Sequence, residues 1–114
     1  MRAELEEMSI GDAQRRIESA LGRSQCVNVC MQDRLWPDDR RWAAWAVVHT
    51  GDRDHKGGHT VHVQAPRLGE ALARVVRGVE RHAENLRALL GDVPIGQASA
   101  ADHAQAAALE EAQS

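Results

Sequence analysis

At 114 residues, 43% hydrophobic, with a net charge of -3, the chain has room for one domain and is too apolar to stay disordered. Its size lets it bury roughly two thirds of its unfolded surface, so it folds without disulfide or metal staples. No apolar run approaches the ~20 residues of a membrane span. The acidic start MRAELEEMS lacks the apolar core of a signal peptide. A cytoplasmic protein is expected.

The tail from Gln97 onward carries Asp102, Glu110 and Glu111 and no Lys or Arg, which leaves 14 basic against 14 acidic residues in the body. A neutral body argues against a dedicated nucleic-acid binder, which shows a basic excess. Trp36, Trp42 and Trp45 are the only aromatic residues, so the core must be built from Val, Leu, Ile, Met and Ala. The cations are nearly all Arg, with Lys56 the single Lys. Together with abundant Ala, Gly and Val, this points to a GC-rich coding sequence of bacterial or phage origin. Cys26 and Cys30 on one strand would sit about 13 Å apart at ~3.3 Å per residue. A disulfide needs less than ~7 Å, so these thiols do not pair with each other there and a reducing compartment fits.

Along the chain, Ser9 with Asp12 forms a helix-capping signal. Ile10, Ala13, Ile17, Ala20 and Leu21 then recur at helical spacing up to Gly22, a C′ glycine. Helix 1 is predicted over Ile10 to Leu21. Cys26 to Gln32 alternates as a half-buried strand, and Trp36-Pro37-Asp38-Asp39 is a turn. Strands two and three are predicted at Trp42–Thr50 and His59–Ala65, joined as a hairpin by the polar link Gly51–Gly58. Pro66 opens helix 2. Leu68, Leu72, Val75, Val79, Ala83, Leu86 and Leu90 mark its apolar stripe, and Gly91 and Pro94 stop it. The expected fold class is α+β: a two-layer helix, three-stranded antiparallel meander, helix (α-β-β-β-α) over residues 1–95. Residues 96–114 read as an Ala-rich frayed or disordered tail with no face able to pack strongly.

Pairing Thr50 with His59 places Val48 opposite Val61, Ala46 opposite Val63 and Ala44 opposite Ala65. Cross-strand partners share a face, so these residues with Trp42, Val27, Val29 and Met31 form the face that the helices cover. The opposite face carries Cys26, Asn28, Cys30, Gln32, Ala43, Trp45, Val47, His49, Thr60, His62 and Gln64. An uncharged outer face bearing Trp and His is unusual for plain solvent exposure. Trp45, Val47, His49, Thr60, His62 and Gln64 are therefore the candidate partner-binding residues. Helix 2, about 36 Å long at ~1.5 Å per residue, outruns strands of ~30 Å at ~3.4 Å per residue. Leu86, Leu89 and Leu90 thus extend past the sheet edge as a candidate homodimer contact.

Catalytic chemistry finds little support. The acidic groups Asp33, Asp38, Asp39 and Asp52, Asp54 flank opposite ends of strand two, roughly 27 Å apart at ~3.4 Å per residue. They cannot share a two-metal site, whose ions lie ~4 Å apart. No Gly-x-Ser-x-Gly is present, Gly57-Gly58 opens a strand and not the helix a phosphate loop requires, and nothing orients Cys30 with His49 or His62 as a thiol–imidazole pair. Among His49, His55, His59 and His62, the odd spacing of His59 and His62 sends them to opposite faces. Only His49 and His62 pair, short of the four ligands of a structural zinc. No metal and no cofactor is expected.

The helix–three strands–helix order over about Ile10 to Leu90 resembles the topology of the double-stranded RNA-binding domain. That family opens its second helix with a Lys-rich phosphate-binding run. The matching stretch here, Pro66-Arg67-Leu68-Gly69-Glu70-Ala71, holds one basic and one acidic residue, so RNA binding does not transfer with the topology. The expected function is a non-enzymatic protein-interaction module; a small phage or mobile-element protein that binds and modulates or inhibits a host protein is its concrete form. The alternative is a nucleic-acid binder stacking bases on Trp45, His49 and His62 with help from Arg53 and Lys56. A small metal-dependent or thiol hydrolase ranks last.

Overall fold

A computed structural model describes residues 7–22, 28–31, 41–48 and 58–113, with the side chains of 28–31 and 113 left aside. The chain is mixed α+β. Its elements are α1 (Ile10–Leu21), β1 (Asn28–Met31), β2 (Trp42–Val48), β3 (His59–Ala65), α2 (Leu68–Leu90), a 3-10 turn (Ile95–Gln97) and α3 (Ala100–Gln113). No helix among the described residues is long and apolar enough to cross a membrane.

The two ends of α1 fall where its local chemistry puts them. Ser9 Oγ accepts from the Asp12 backbone N–H at 3.1 Å, answering one of the orphan donors of the first turn. Gly22 adopts φ 71 and its N–H returns to the Glu18 carbonyl, a left-handed closure that costs glycine little. One face of α1, Ala13, Ile17 and Leu21, is buried. Its flank is tied to α2 by Arg16, which donates to both carboxylate oxygens of Glu80 at 3.0 and 2.7 Å.

β2 and β3 pair antiparallel, with Val48 opposite His59, Ala46 opposite Val61, Ala44 opposite Val63 and Trp42 opposite Ala65. The expected pairing is offset by two residues from this register. Because side chains alternate with period two, the offset leaves the described residues of β2 and β3 on their expected faces. Ala44, Ala46, Val48, Val61 and Ala65 are buried, with Trp42 and Val63 packed against them. The backbone of β1 pairs with the other edge of β2, Val29 opposite Ala44 and Met31 opposite Trp42. The links at residues 32–40 and 49–57 lie outside the described residues, so the sheet is defined by its register and not by its turns.

α2 is the spine. Leu72, Val75, Val76, Val79, Ala83 and Leu86 are essentially inaccessible and join the sheet and α1 in one core. At Gly78 the helix comes so close to β3 that a Cβ would lie 2.5 Å from Val61 Cγ1. Glycine inside a helix costs about 1 kcal/mol relative to alanine, and here it is what permits the approach.

The C-terminal segment departs from expectation. Residues 100–113, expected as a frayed or disordered tail with no packing face, form a helix that docks on α2. Ile95, Ala98, His103 and Ala106 are buried. Ser99 N–H donates to Asp102 Oδ2 at 3.0 Å and Asp102 N–H to Ser99 Oγ at 3.2 Å, a reciprocal cap that starts α3. Its packing face is made of alanine and histidine, whose small or polar side chains leave no apolar stripe to read. Alanine also has the highest helix propensity of any residue, which lowers the cost of holding these 14 residues helical against α2.

Candidate functional site

The outer face of the β2–β3 pair holds five of the six residues singled out as a binding surface. Trp45 and His62 are cross-strand partners, and their rings stack with centroids 6.0 Å apart and planes at 25°. Trp45, Val47 and Gln64 are half-buried, whereas Thr60 and His62 are exposed. Val47 lies opposite Thr60, and Gln64 opposite the buried Ala43. The two-residue offset therefore puts His62 beside Trp45 where Val47 was expected. His49 lies outside the described residues. So do His55, Cys26, Gln32, Arg53, Lys56 and the two acidic turn groups. The buried core joins the helices to sheet residues of the opposite parity, so this face is turned away from α2.

The three leucines of the expected dimer contact do not form one patch. Leu86 is fully buried inside the chain's own core, Leu90 packs partly against that core, and Leu89 is 40% exposed. Ile17 and Leu21 of α1 and Ile95 after α2 share that core, where α2 alone was expected to extend past its partners.

A second constellation, which sequence reasoning missed, lies at the other side of β3. His59 projects to the helix side, opposite in sense to His62 as the odd spacing requires. Its ring stacks on His82 of α2 at 3.8 Å and 9°. His82 in turn lies 5.1 Å and 11° from His103 of α3, and His82 Nε2 and His103 Nδ1 share a hydrogen bond of 2.9 Å. His82 and His103 are buried, at 0% and 2% exposure. Donor atoms of His59, His82 and Glu110 all lie within 4.8 Å of one another. Arg81 sits 3.9 Å from the Glu110 carboxylate. An open cleft of ≈ 500 Å³ runs past these groups, lined by His59, His62, Arg74, Arg77, Arg81 and Glu110 among others.

Burial makes His82 and His59 weak bases. Burial first, and then the neighbouring His59 and His103, lower the His82 pKa to about 3. Burial also lowers the His59 pKa, against an opposing pull from Glu110. Both rings are neutral in the folded chain near pH 7, while in the unfolded chain they take up protons below ~6.5. The unfolded state therefore binds more protons as the pH falls, and stability falls with it. The expected result is a urea midpoint that is lower at pH 5 than at pH 7, with part of that difference removed in His82→Asn. A difference unaltered by His82→Asn would show that acid acts elsewhere.

One signal for this column was in the sequence. His82 stands seven residues after Val75 and three after Val79, on the buried side of the strongest helical repeat, where a polar residue needs a partner. Comparison with protein-family models, with curated proteins and with solved structures finds no match for this chain.

Proposed function

We propose that the chain is a non-enzymatic protein-interaction module that docks a protein partner on the outer face of β2–β3, and that modulating or inhibiting a host protein is the form this takes. The observation that carries the reading is the part-exposed Trp45, stacked on His62 on the face turned away from α2. Tryptophan is enriched among interface anchors and contributes on the order of 200 Å² of contact. Thr60 and Gln64 add polar contacts with no charge to desolvate, and the neutral body favours a protein over a nucleic acid. The occupant it suits is a protein surface offering an apolar pocket with an uncharged rim.

The test compares the full chain with Trp45→Ala in affinity capture from a bacterial lysate, followed by titration of the captured protein. Trp45→Ala is expected to keep its melting temperature within a few degrees and to weaken the complex by ~2 kcal/mol or more, about thirty-fold in Kd. Equal binding by both forms would overturn the reading. So would unfolding of Trp45→Ala, which would make Trp45 a core residue, or capture of nucleic acid lost at high salt.

A further inference from the structure

We infer that His59, His82 and Glu110 form a binding site for one divalent transition-metal ion of the zinc class, with His103 orienting His82. This stands apart from the outer face and rests on different residues.

The argument begins with topology. One donor comes from β3, one from α2 and one from α3, and the fold alone brings them within 4.8 Å of one another. A tetrahedral zinc with bonds of ~2.0–2.1 Å sets neighbouring donors roughly 3.3 Å apart. Metal binding would require side-chain rotation to close that gap. His59 is the ring that turns: it lies flat on His82 and is half-buried at the mouth of the cleft, so it has room that His82 lacks.

The second observation is independent of that clustering. His82 is fully buried, and its Nδ1 has no hydrogen-bond partner among the described residues. Leaving a buried polar nitrogen unpaired costs roughly 1–3 kcal/mol, and a native structure rarely does so without a reason. Its other nitrogen is engaged by His103 Nδ1 at 2.9 Å. In the tautomer where Nε2–H donates to His103, the Nδ1 lone pair is free for an ion. A ligating imidazole held through its far nitrogen by a second polar group is the usual arrangement around protein-bound metals.

Donor chemistry selects the ion. Two neutral imidazoles and one carboxylate suit zinc and its neighbours cobalt, nickel and copper, and they disfavour magnesium and calcium, which take oxygen ligands. Three protein donors leave a fourth position to water. Arg81, at 3.9 Å from Glu110, lies beyond hydrogen-bond range and contributes no donor of its own.

The test uses the full chain, stripped with a chelator and dialysed, then titrated with Zn²⁺ by calorimetry and with Co²⁺ by visible absorption. One equivalent is expected to bind, with a rise in melting temperature and the absorption of tetrahedral cobalt. Glu110→Gln and His59→Ala, both at the edge of the cleft, are expected to leave the metal-free melting temperature nearly unchanged and to weaken Zn²⁺ binding at least tenfold. His103→Ala is expected to weaken it 10–100-fold as a positioning residue. A Cys26→Ser/Cys30→Ser double variant should bind as the parent does. The proposal is overturned by absence of saturable binding, by equal affinity in Glu110→Gln and the parent, or by loss of binding in the cysteine variant.

Discussion

Val79→Asp is expected to unfold the protein. Val79 is 0% exposed and sits at the middle of α2, where the sheet and α1 meet. A carboxylate there has no partner, and an uncompensated buried charge costs several kcal/mol. That is comparable to the whole stability of a domain this size, about 5–15 kcal/mol. Circular dichroism and thermal melting check it: the variant should show no cooperative transition at 25 °C and above. A folded Val79→Asp with an altered oligomeric state would mean that the stripe faces another chain.

The second large effect is expected from truncation. A chain ending at Ile95 loses α3 and uncovers His82 and Asn85, both of which α3 now touches: His82 through His103, and Asn85 by donating to the Ala106 carbonyl at 3.5 Å. Two buried alanine methyls, at ~0.8 kcal/mol per buried carbon, and two buried hydrogen bonds, worth about 1 kcal/mol each, set the loss at roughly 3–4 kcal/mol. For a domain of this size ~1 kcal/mol shifts Tm by roughly 4–8 °C, so the melting temperature should drop well beyond measurement error. From the sequence alone the same truncation would be expected to do almost nothing. An unchanged Tm would restore that view and make α3 an appendage.

The contrast shows what kind of information the chain carries in plain sight. α1 was legible to the residue because its cap, its apolar spacing and its closing glycine all agree. The sheet faces were legible because period two is insensitive to the two-residue offset between Thr50 and Val48 as the partner of His59. α3 was not, although Ser99 and Asp102 repeat the Ser9 and Asp12 signal at the same spacing. Its buried positions, Ala98, His103 and Ala106, give no hydrophobic contrast, so a rule built on apolar stripes passes over them. The histidine column depends on that missing helix. His59, His82 and His103 are far apart along the chain, no local spacing links them, and only the docking of α3 beside β3 closes the set. The burial of Leu86 was hidden for a related reason: it looked unpartnered only while the contributions of α1 and Ile95 to the core were undercounted.

Among the described residues the strand order is β1-β2-β3, with β3 at an edge. Such an edge offers backbone groups to any extended peptide that meets it, the usual starting point of aggregation by strand addition. Here Arg74 Nη1 donates to the Gln64 carbonyl at 2.8 Å, while its Nη2 is held by Glu70 at 2.5 Å. One long cation, braced from its own helix, occupies an acceptor that an incoming strand would need. The guanidinium thus guards the C-terminal end of β3 against sheet growth.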